Sequence, residues 1–193
     1  MPIDLVKGCD VELGHDTACA LATVVDLVNT DPELAGAEAL TTPGLLADFV
    51  ARHEISEPGP MTHGDLDAVR RLRTRLRELF EAADQATAVR LVNALVADAR
   101  TTPRLTDHDD WPLHMHYYAP DARIAEHLAA DCGMALAFVL TAGEWERLTT
   151  CGAPDCLRVL VDLSRNRSRR YCDSKTCGNR LHVAAYRARQ RTG

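Results

Sequence analysis

The sequence lacks any apolar run close to the roughly 20 residues that a membrane-spanning helix requires. Its first seven residues contain neither a basic n-region nor a continuous apolar h-region, so no export signal is expected. Internal repeats and low-complexity linkers are also missing. These absences argue against a membrane association and an exported disulfide scaffold, and they predict a cytoplasmic protein. A hydrophobic content of 46% predicts that this protein folds around a core.

Charge is unequally distributed along the 193 residues, whose net charge is -6. The segment from Cys151 onward has nine Arg and one Lys against three Asp, a net +7, so residues 1–150 carry -13. A polyanion such as DNA is attracted to positive charge and repelled by negative charge. The sequence therefore predicts that the basic tail alone contacts DNA, with RNA as an alternative partner.

Apolar residues recur at helical spacing through most of the first 150 positions, a pattern typical of a helical bundle. Proline and N-cap residues mark several of the helix ends. The five predicted helices are, in order, one that ends near Asn29, one that begins at Pro43 after Thr42, one that begins after the Thr62-x-x-Asp65 capping box, one around Leu91, and one from about Asp121 to Leu148.

Two features of this region need separate interpretation. Residues 103–118 place loop residues between two short apolar stretches, which predicts a small β-hairpin. Five arginines between Arg70 and Arg77 could be mistaken for a nucleic-acid surface. Acidic residues flank them along the same predicted helix, so a solvated helix face is the preferred interpretation.

The seven cysteines fall into two groups. Cys9, Cys19 and Cys132 are scattered through predicted helices or their flanks, and we expect them to be small buried hydrophobic residues. The other four form two pairs, each with four intervening residues, in the order Cys151, Cys156, Cys172 and Cys177. Two close cysteine pairs can each supply two corners of the tetrahedral site that Zn²⁺ prefers.

Four thiolates leave a zinc ion no open position, so the predicted metal is one structural Zn²⁺. Val159–Val161 is predicted to form a strand after the first pair, and a helix is predicted from Gly178 to about Gln190. A knuckle, a hairpin and a helix whose first turn carries the last ligand make a treble clef. The predicted fold is mainly α: an N-terminal helical bundle with a small β-hairpin over residues 1–149, packed against a C-terminal treble-clef-like zinc finger over residues 150–193.

The segments Cys151-Gly-Ala-Pro-Asp-Cys156, Asp162 to Cys172, and Cys177-Gly-Asn-Arg180 resemble the CGNR zinc finger family. The preceding residues resemble the ABATE domain that usually precedes this finger, with Val28-Asn29-Thr30 as the best local match. The resemblance implies zinc on the four cysteines, Asn179 and Arg180 at the signature positions, and a stress-induced bacterial transcription regulator that binds DNA through the finger.

Arginine neutralises phosphate with a planar fork of donors, which makes the arginines of the tail the candidate DNA contacts. Asn179 and Arg180 could read base edges, or they could brace the finger, with Arg180 pairing with Asp155 or Asp162. A third alternative is an arginine surface that docks onto the acidic bundle and is autoinhibitory. The predicted nucleic-acid-binding residues are Arg165, Arg167, Arg169, Arg170, Asn179, Arg180, Arg187 and Arg191.

The helical domain is expected to sense a small-molecule effector or to form a homodimer. The candidate pocket residues are Asn29, Trp111, His114 and His116. The two histidines could bind a second metal together with His108, but a partly exposed face of the hairpin is the preferred explanation for them. No enzymatic activity is predicted. The alternatives are a protein-interaction module and, less favoured because only His182 in the tail could act as a base, a zinc-dependent nuclease.

Overall fold

The computed structural model describes residues 14–56, 59–106 and 113–179, together with Val183 and Gln190, which are helical. The described helices are α1 (His15–Val28), α2 (Pro32–Ala35), α3 (Pro43–Arg52), α4 (His63–Phe80), α5 (Gln85–Asp98) and α6 (Ile124–Thr141). Strand β1 (Arg104–Thr106) pairs with β2 (His114–His116), and β3 (Leu148–Thr150) pairs with β4 (Val159–Val161), both antiparallel. A 3-10 turn at Trp145–Arg147 precedes β3, and a π-helical turn spans Ser174–Gly178.

Local capping signals place the helix starts where the sequence predicts them. The Thr42 hydroxyl accepts a hydrogen bond from the Leu45 N–H at 3.2 Å, and Pro43 occupies the first helical position. At the start of α4, Thr62 and Asp65 form the predicted capping box, in which each side chain accepts from the other residue's N–H. Because these bonds join residues three apart, the sequence alone is sufficient to identify them.

The predicted end of the fifth helix near Leu148 is wrong. Helix α6 ends at Thr141, and Gly143 adopts the left-handed conformation with φ of 71°. The N–H groups of Gly143 and Glu144 turn back to the carbonyls of Leu140 and Val139, which is the Schellman arrangement. The residues after this stop form the 3-10 turn and strand β3 instead of a helix.

Helix α6 lies at the centre of the bundle and packs against α1, α4 and α5. It is long and apolar enough to cross a membrane by composition, but 61% of its 18-residue apolar window is buried inside the protein. Neighbouring helices therefore account for its apolar surface. The core side chains with the least exposure come from these four helices and from α3, and they include Leu21, Phe49, Leu66, Leu76, Leu95 and Leu136.

The prediction of a solvated arginine face on α4 is wrong for Arg73, which is 5% exposed. The segment between α1 and α3 crosses α4 and brings the Glu38 carboxylate within 2.7 Å of both terminal nitrogens of Arg73. These hydrogen bonds are the main reason that the pKa of Glu38 lies below its ordinary value. Arg70 similarly donates to the Leu40 carbonyl, whereas Arg71 remains exposed.

The predicted hairpin at 103–118 is confirmed, and its strands pair Arg104 with His116 and Thr106 with His114. The prediction for the scattered cysteines holds for Cys132, which is 1% exposed. It is wrong for Cys19, which is exposed at the edge of α1 with its Sγ 3.5 Å from His15 Nε2. Cys9 lies outside the described residues.

Candidate metal centre and nucleic-acid interface

Three short elements bring the four predicted zinc ligands together. Cys151 follows β3 directly, and Cys156 lies in the loop that joins β3 to β4. Cys172 lies after the loop that leaves β4, and Cys177 is carried by the π-helical turn. The ladder extends one residue beyond the strands through a 2.8 Å hydrogen bond from the Cys151 N–H to the Arg158 carbonyl. The first cysteine pair is therefore held at the tip of a hairpin.

The spacing of the four sulfur atoms suits a tetrahedral zinc ion. All four Sγ atoms lie within 4.8 Å of one another, and Cys172 Sγ is 3.7 Å from Cys156 Sγ and 3.8 Å from Cys177 Sγ. Zinc–sulfur bonds of about 2.3 Å at tetrahedral angles place the sulfurs roughly 3.8 Å apart. The cluster therefore matches the ligand set and the approximate spacing of one structural zinc ion.

Backbone donors around Cys151 favour the thiolate form that binds metal. Burial on its own would raise the pKa of this thiol, but the N–H groups of Cys172 and Ala153 hydrogen-bond to its sulfur and hold the pKa below its ordinary value. The Cys172 N–H lies 3.4 Å from the sulfur. Cys151 and Cys172 are 21 residues apart in sequence, so this contact also joins the two knuckles, the turns that carry the first and the second cysteine pair.

Gly152 permits a close approach between the two knuckles. Its N–H donates to the Arg170 carbonyl at 2.8 Å, and a Cβ added at this position would lie 3.1 Å from the same carbonyl oxygen. That distance is tighter than an ordinary contact, so a side chain here would push the segment before Cys172 away. Glycine at this position therefore lets the two segments that carry the cysteine pairs approach without displacing the Arg170 carbonyl by a few tenths of an ångström.

The arginine-rich loop between β4 and Cys172 is organised by a buried carboxylate. Asp162 is 5% exposed and accepts hydrogen bonds from the N–H groups of Ser164 at 2.8 Å and Arg169 at 3.0 Å. Although burial alone would raise the pKa of Asp162, these hydrogen bonds, together with that from the Ser164 hydroxyl, keep it below its ordinary value. The loop is thus folded around one charged side chain and is not an unstructured basic segment.

Two arginines of this loop contact the protein itself. Arg167 pairs with Glu144, with Nη2 2.8 Å from Oε1, and Arg169 donates to the Cys172 carbonyl at 2.8 Å. Arg147, which the sequence did not mark, donates to Glu144 and to the carbonyls of Asp162 and Ser164. Among the four loop arginines, Arg167 alone forms ion pairs with carboxylates that precede β3. The alternative in which an arginine surface docks onto the bundle and is autoinhibitory stays a prediction.

The remaining predicted nucleic-acid contacts that the structure describes are exposed and are not engaged by other side chains. Arg165 and Arg170 are exposed and form neither an ion pair nor a hydrogen bond through their side chains within the described part of the loop. Asn179 is exposed, and its side chain has no hydrogen-bond partner among residues 14–56, 59–106 and 113–179. Arg180, Arg187 and Arg191 lie outside the described residues, so their predicted contacts stay predictions.

Asn29 joins the helical bundle to the finger, a role that the sequence did not indicate. Its side-chain Nδ2 donates to the Val159 carbonyl and its Oδ1 accepts from the Val159 N–H, both at 2.9 Å. Asn29 follows α1 directly, so one amide group pairs both polar backbone groups of a residue in β4. No local pattern distinguishes this asparagine, because its partner is 130 residues away in sequence.

Strand β4 lies between two cores. Val159 and Val161 pack in the main helical core, whereas Leu160 is fully buried against Cys151 and Cys177. This alternation follows from the two-residue period of a strand. The expectation that the two parts pack together is therefore confirmed, and the finger and the bundle share one strand.

A cavity of about 680 Å³ lies beside the first turns of α1, at the end of that helix away from the Asn29 contact, and is bordered by α1, β2 and α6. His114 and His116 line it, with their Nε2 atoms 2.9 Å apart, as expected for pocket residues. Asn29 does not line this cavity, so its assignment to the pocket is wrong. Trp111 and His108 lie outside the described residues.

Two family models match the chain. Residues 147–190, which contain all four clustered cysteines, match the CGNR zinc finger. Residues 21–143, more than half of the chain, match the ABATE model, whose description is "putative stress-induced transcription regulator". No curated protein matches the chain. The two matched spans meet between Gly143 and Arg147, where α6 has ended and the hairpin of the finger begins.

Proposed function

Because the chain belongs to the ABATE family and carries a CGNR zinc finger, we propose that it is a cytoplasmic transcription regulator that binds DNA through the finger. One structural zinc ion holds the finger, with Cys151, Cys156, Cys172 and Cys177 as its ligands. The observation that carries the proposal is the position of Arg165 and Arg170, two exposed arginines on a loop fixed directly beside the four-cysteine cluster.

Rigid placement matters because a charged loop that is already ordered loses less conformational entropy when it binds. The Asp162 carboxylate and the Arg147 guanidinium fix the loop backbone, which leaves Arg165 and Arg170 able to contact phosphate oxygens. Exposed Asn179, two residues after the last cysteine, is suited to reach a base edge. The finger thus carries two candidate phosphate contacts, Arg165 and Arg170, and one candidate base contact, Asn179.

The bundle carries the sensing function in this proposal. Its net charge is negative, so it does not itself compete for the DNA backbone. The cavity beside α1 supplies a site for an effector, and the Asn29 amide provides a direct contact between α1 and the finger. A second copy of the chain is the alternative binding partner of the bundle.

Replacing both exposed loop arginines, Arg165→Ala with Arg170→Ala, is expected to weaken DNA binding and to flatten its salt dependence. Each lost phosphate contact reduces the slope of log affinity against log salt by about 1, so the slope should fall by about 1 to 2 units. Fluorescence anisotropy of labelled duplex DNA over a salt series measures this slope directly.

Arg71→Ala is the matched control, because Arg71 is an exposed arginine on α4, far from the finger in sequence. It should leave both the affinity and the slope unchanged. An unchanged slope in the double loop variant would contradict the assignment of these contacts, and the same titration on Arg187→Ala with Arg191→Ala would then test the C-terminal group. A single-stranded RNA of equal length distinguishes the two kinds of nucleic acid.

Two other functions predict different results. A protein-interaction module would show no salt-dependent binding to nucleic acid. A zinc-dependent nuclease needs an open metal position, whereas the one cluster of potential metal ligands within the described residues consists of four thiols that close the shell. Loss of full-length substrate during incubation with purified protein and added divalent metal would favour the nuclease.

A further inference from the structure

The cavity beside α1 has an acidic and apolar wall. Three carboxylates line it, from Asp16 and Glu54 near α1 and α3 and from Asp131 on α6. The described lining residues include no lysine and no arginine. None of the three carboxylates forms an ion pair with a lysine or arginine in the described part of the chain, although other carboxylates of the bundle do. Apart from the histidines that also line it, one of which pairs with Asp131, the described cavity wall carries only negative formal charge.

Asp131 is the least exposed of these groups. Its Oδ2 lies 3.0 Å from Nε2 of His127, whose side chain is 7% exposed, and the His127 ring stacks on Tyr118 with centroids 3.4 Å apart. Its other oxygen, Oδ1, is shielded from solvent and has no hydrogen-bond partner among the described residues. A charged oxygen in this position is costly, and a cation in the cavity would offset that cost.

The titration of neighbouring groups agrees with the sign of this charge. Burial raises the pKa of the Tyr117 hydroxyl, and the charges of Asp131 and Asp16 raise it further. Burial likewise raises the pKa of the Cys19 thiol, and the charges of Asp16 and Glu54 add to this effect. Both shifts disfavour a second anion at the cavity wall.

The rest of the wall is apolar and aromatic. Ala20, Leu128 and Ala135 line it, and Tyr117 meets Phe138 edge to face with ring centroids 6.2 Å apart. Phe138 is 37% exposed, so apolar surface extends from the cavity to its rim. Aromatic faces attract organic cations through their quadrupole, and the apolar wall favours a hydrophobic body.

We propose that this cavity binds lipophilic organic cations, molecules with a delocalised or amine positive charge on a hydrophobic, aromatic body. The volume of about 680 Å³ lies within the range of small-molecule sites. The carboxylates select the sign of the ligand's charge, and the aromatic and aliphatic walls supply the contact area. This proposal rests on the sensing function proposed for the bundle and names the class of ligand that the bundle would sense.

The test compares two ions of the same size and shape but opposite charge, tetraphenylphosphonium and tetraphenylborate. Isothermal titration calorimetry is performed on the full-length, zinc-loaded protein without DNA, at pH 8, where histidine is ordinarily uncharged. The phosphonium should bind saturably, and the borate at least tenfold more weakly. Asp131→Asn keeps the shape and the acceptor for His127 but removes the charge, and it should weaken phosphonium binding by about tenfold or more.

Asp48→Asn is the matched control, because Asp48 is an exposed carboxylate on α3 that does not line the cavity, and it should leave both affinities unchanged. Zinc content and thermal midpoint verify that each variant is folded. Equal binding of the two ions, no binding of either ion, or an unchanged phosphonium affinity in Asp131→Asn would overturn the proposal. If neither ion binds and Phe138→Glu abolishes a dimer in sedimentation experiments, the face belongs to a second copy. Since no DNA is present, failure here is distinguishable from failure of DNA binding.

Discussion

Replacing Asn29 with alanine is expected to lower the free energy of unfolding by about 2 to 6 kcal/mol. The substitution leaves two backbone groups of Val159 without partners, in a residue that is 2% exposed. Each buried polar group that loses its hydrogen bond costs about 1 to 3 kcal/mol. Urea unfolding followed by circular dichroism gives the value, and a large loss would identify Asn29 as a main contact between bundle and finger.

Asn93→Ala controls for the substitution itself, because Asn93 is exposed on α5 and alanine is the better helix former. This variant should be as stable as the original protein or slightly more so. The Asn29→Asp variant keeps the size and one acceptor but removes the donor to the Val159 carbonyl, so it should also be destabilised. If all three variants unfold at the same urea concentration, the Asn29 contact does not stabilise the native state.

Cys172→Ser is expected to abolish zinc binding, from about one ion per chain to near zero after gel filtration. Structural zinc contributes on the order of 10 kcal/mol to the folding of zinc-finger peptides, so its loss should unfold the knuckles and the arginine-rich loop. Helices α1 to α6 retain their own core and should remain folded. Metal analysis gives the stoichiometry, and amide hydrogen exchange should increase at 151–179 more than in α6.

The exposed thiol of Cys19 provides the control for this experiment. Cys19→Ser removes a sulfur that is not part of the four-cysteine cluster, so zinc content and exchange should not change. Full zinc stoichiometry with unchanged protection of residues 151–179 in Cys172→Ser would contradict the four-thiolate site. Exchange that also increases throughout α6 would mean that the bundle depends on the finger for its stability.

Local chemistry could be predicted from the sequence, whereas contacts between distant segments could not. The Thr62 and Asp65 capping box joins residues three apart, and the cysteine pairs are close in the chain, so spacing alone identifies both. The burial of Arg73 depends on where the Glu38 segment crosses α4. The packing of the whole bundle determines such a crossing. The helical spacing of apolar residues in the sequence carries no information about it.

The end of α6 and the arrangement of the loop arginines illustrate two further limits. Gly143 is a recognisable stop signal, but the apolar residues beyond it continued the helical pattern and extended the predicted helix. Composition does not distinguish the arginines of the loop. In the structure, however, Asp162 accepts from the Arg169 backbone and Glu144 pairs with the Arg167 side chain. Arg165 and Arg170 remain exposed. Charge alone therefore identified the basic segment but not which of its members are available to a partner.

Helix α1 connects the proposed cation site to the finger, because it borders the cavity and ends at the Asn29 contact. Its 14 residues extend for about 21 Å, with the first turns at the cavity and Asn29 directly beyond the last turn. If the cavity binds a cation as proposed, a shift of α1 that the cation favours would also move the Asn29 amide relative to Val159. Linkage then requires reciprocity: the factor by which the cation alters affinity for DNA must equal the factor by which DNA alters affinity for the cation.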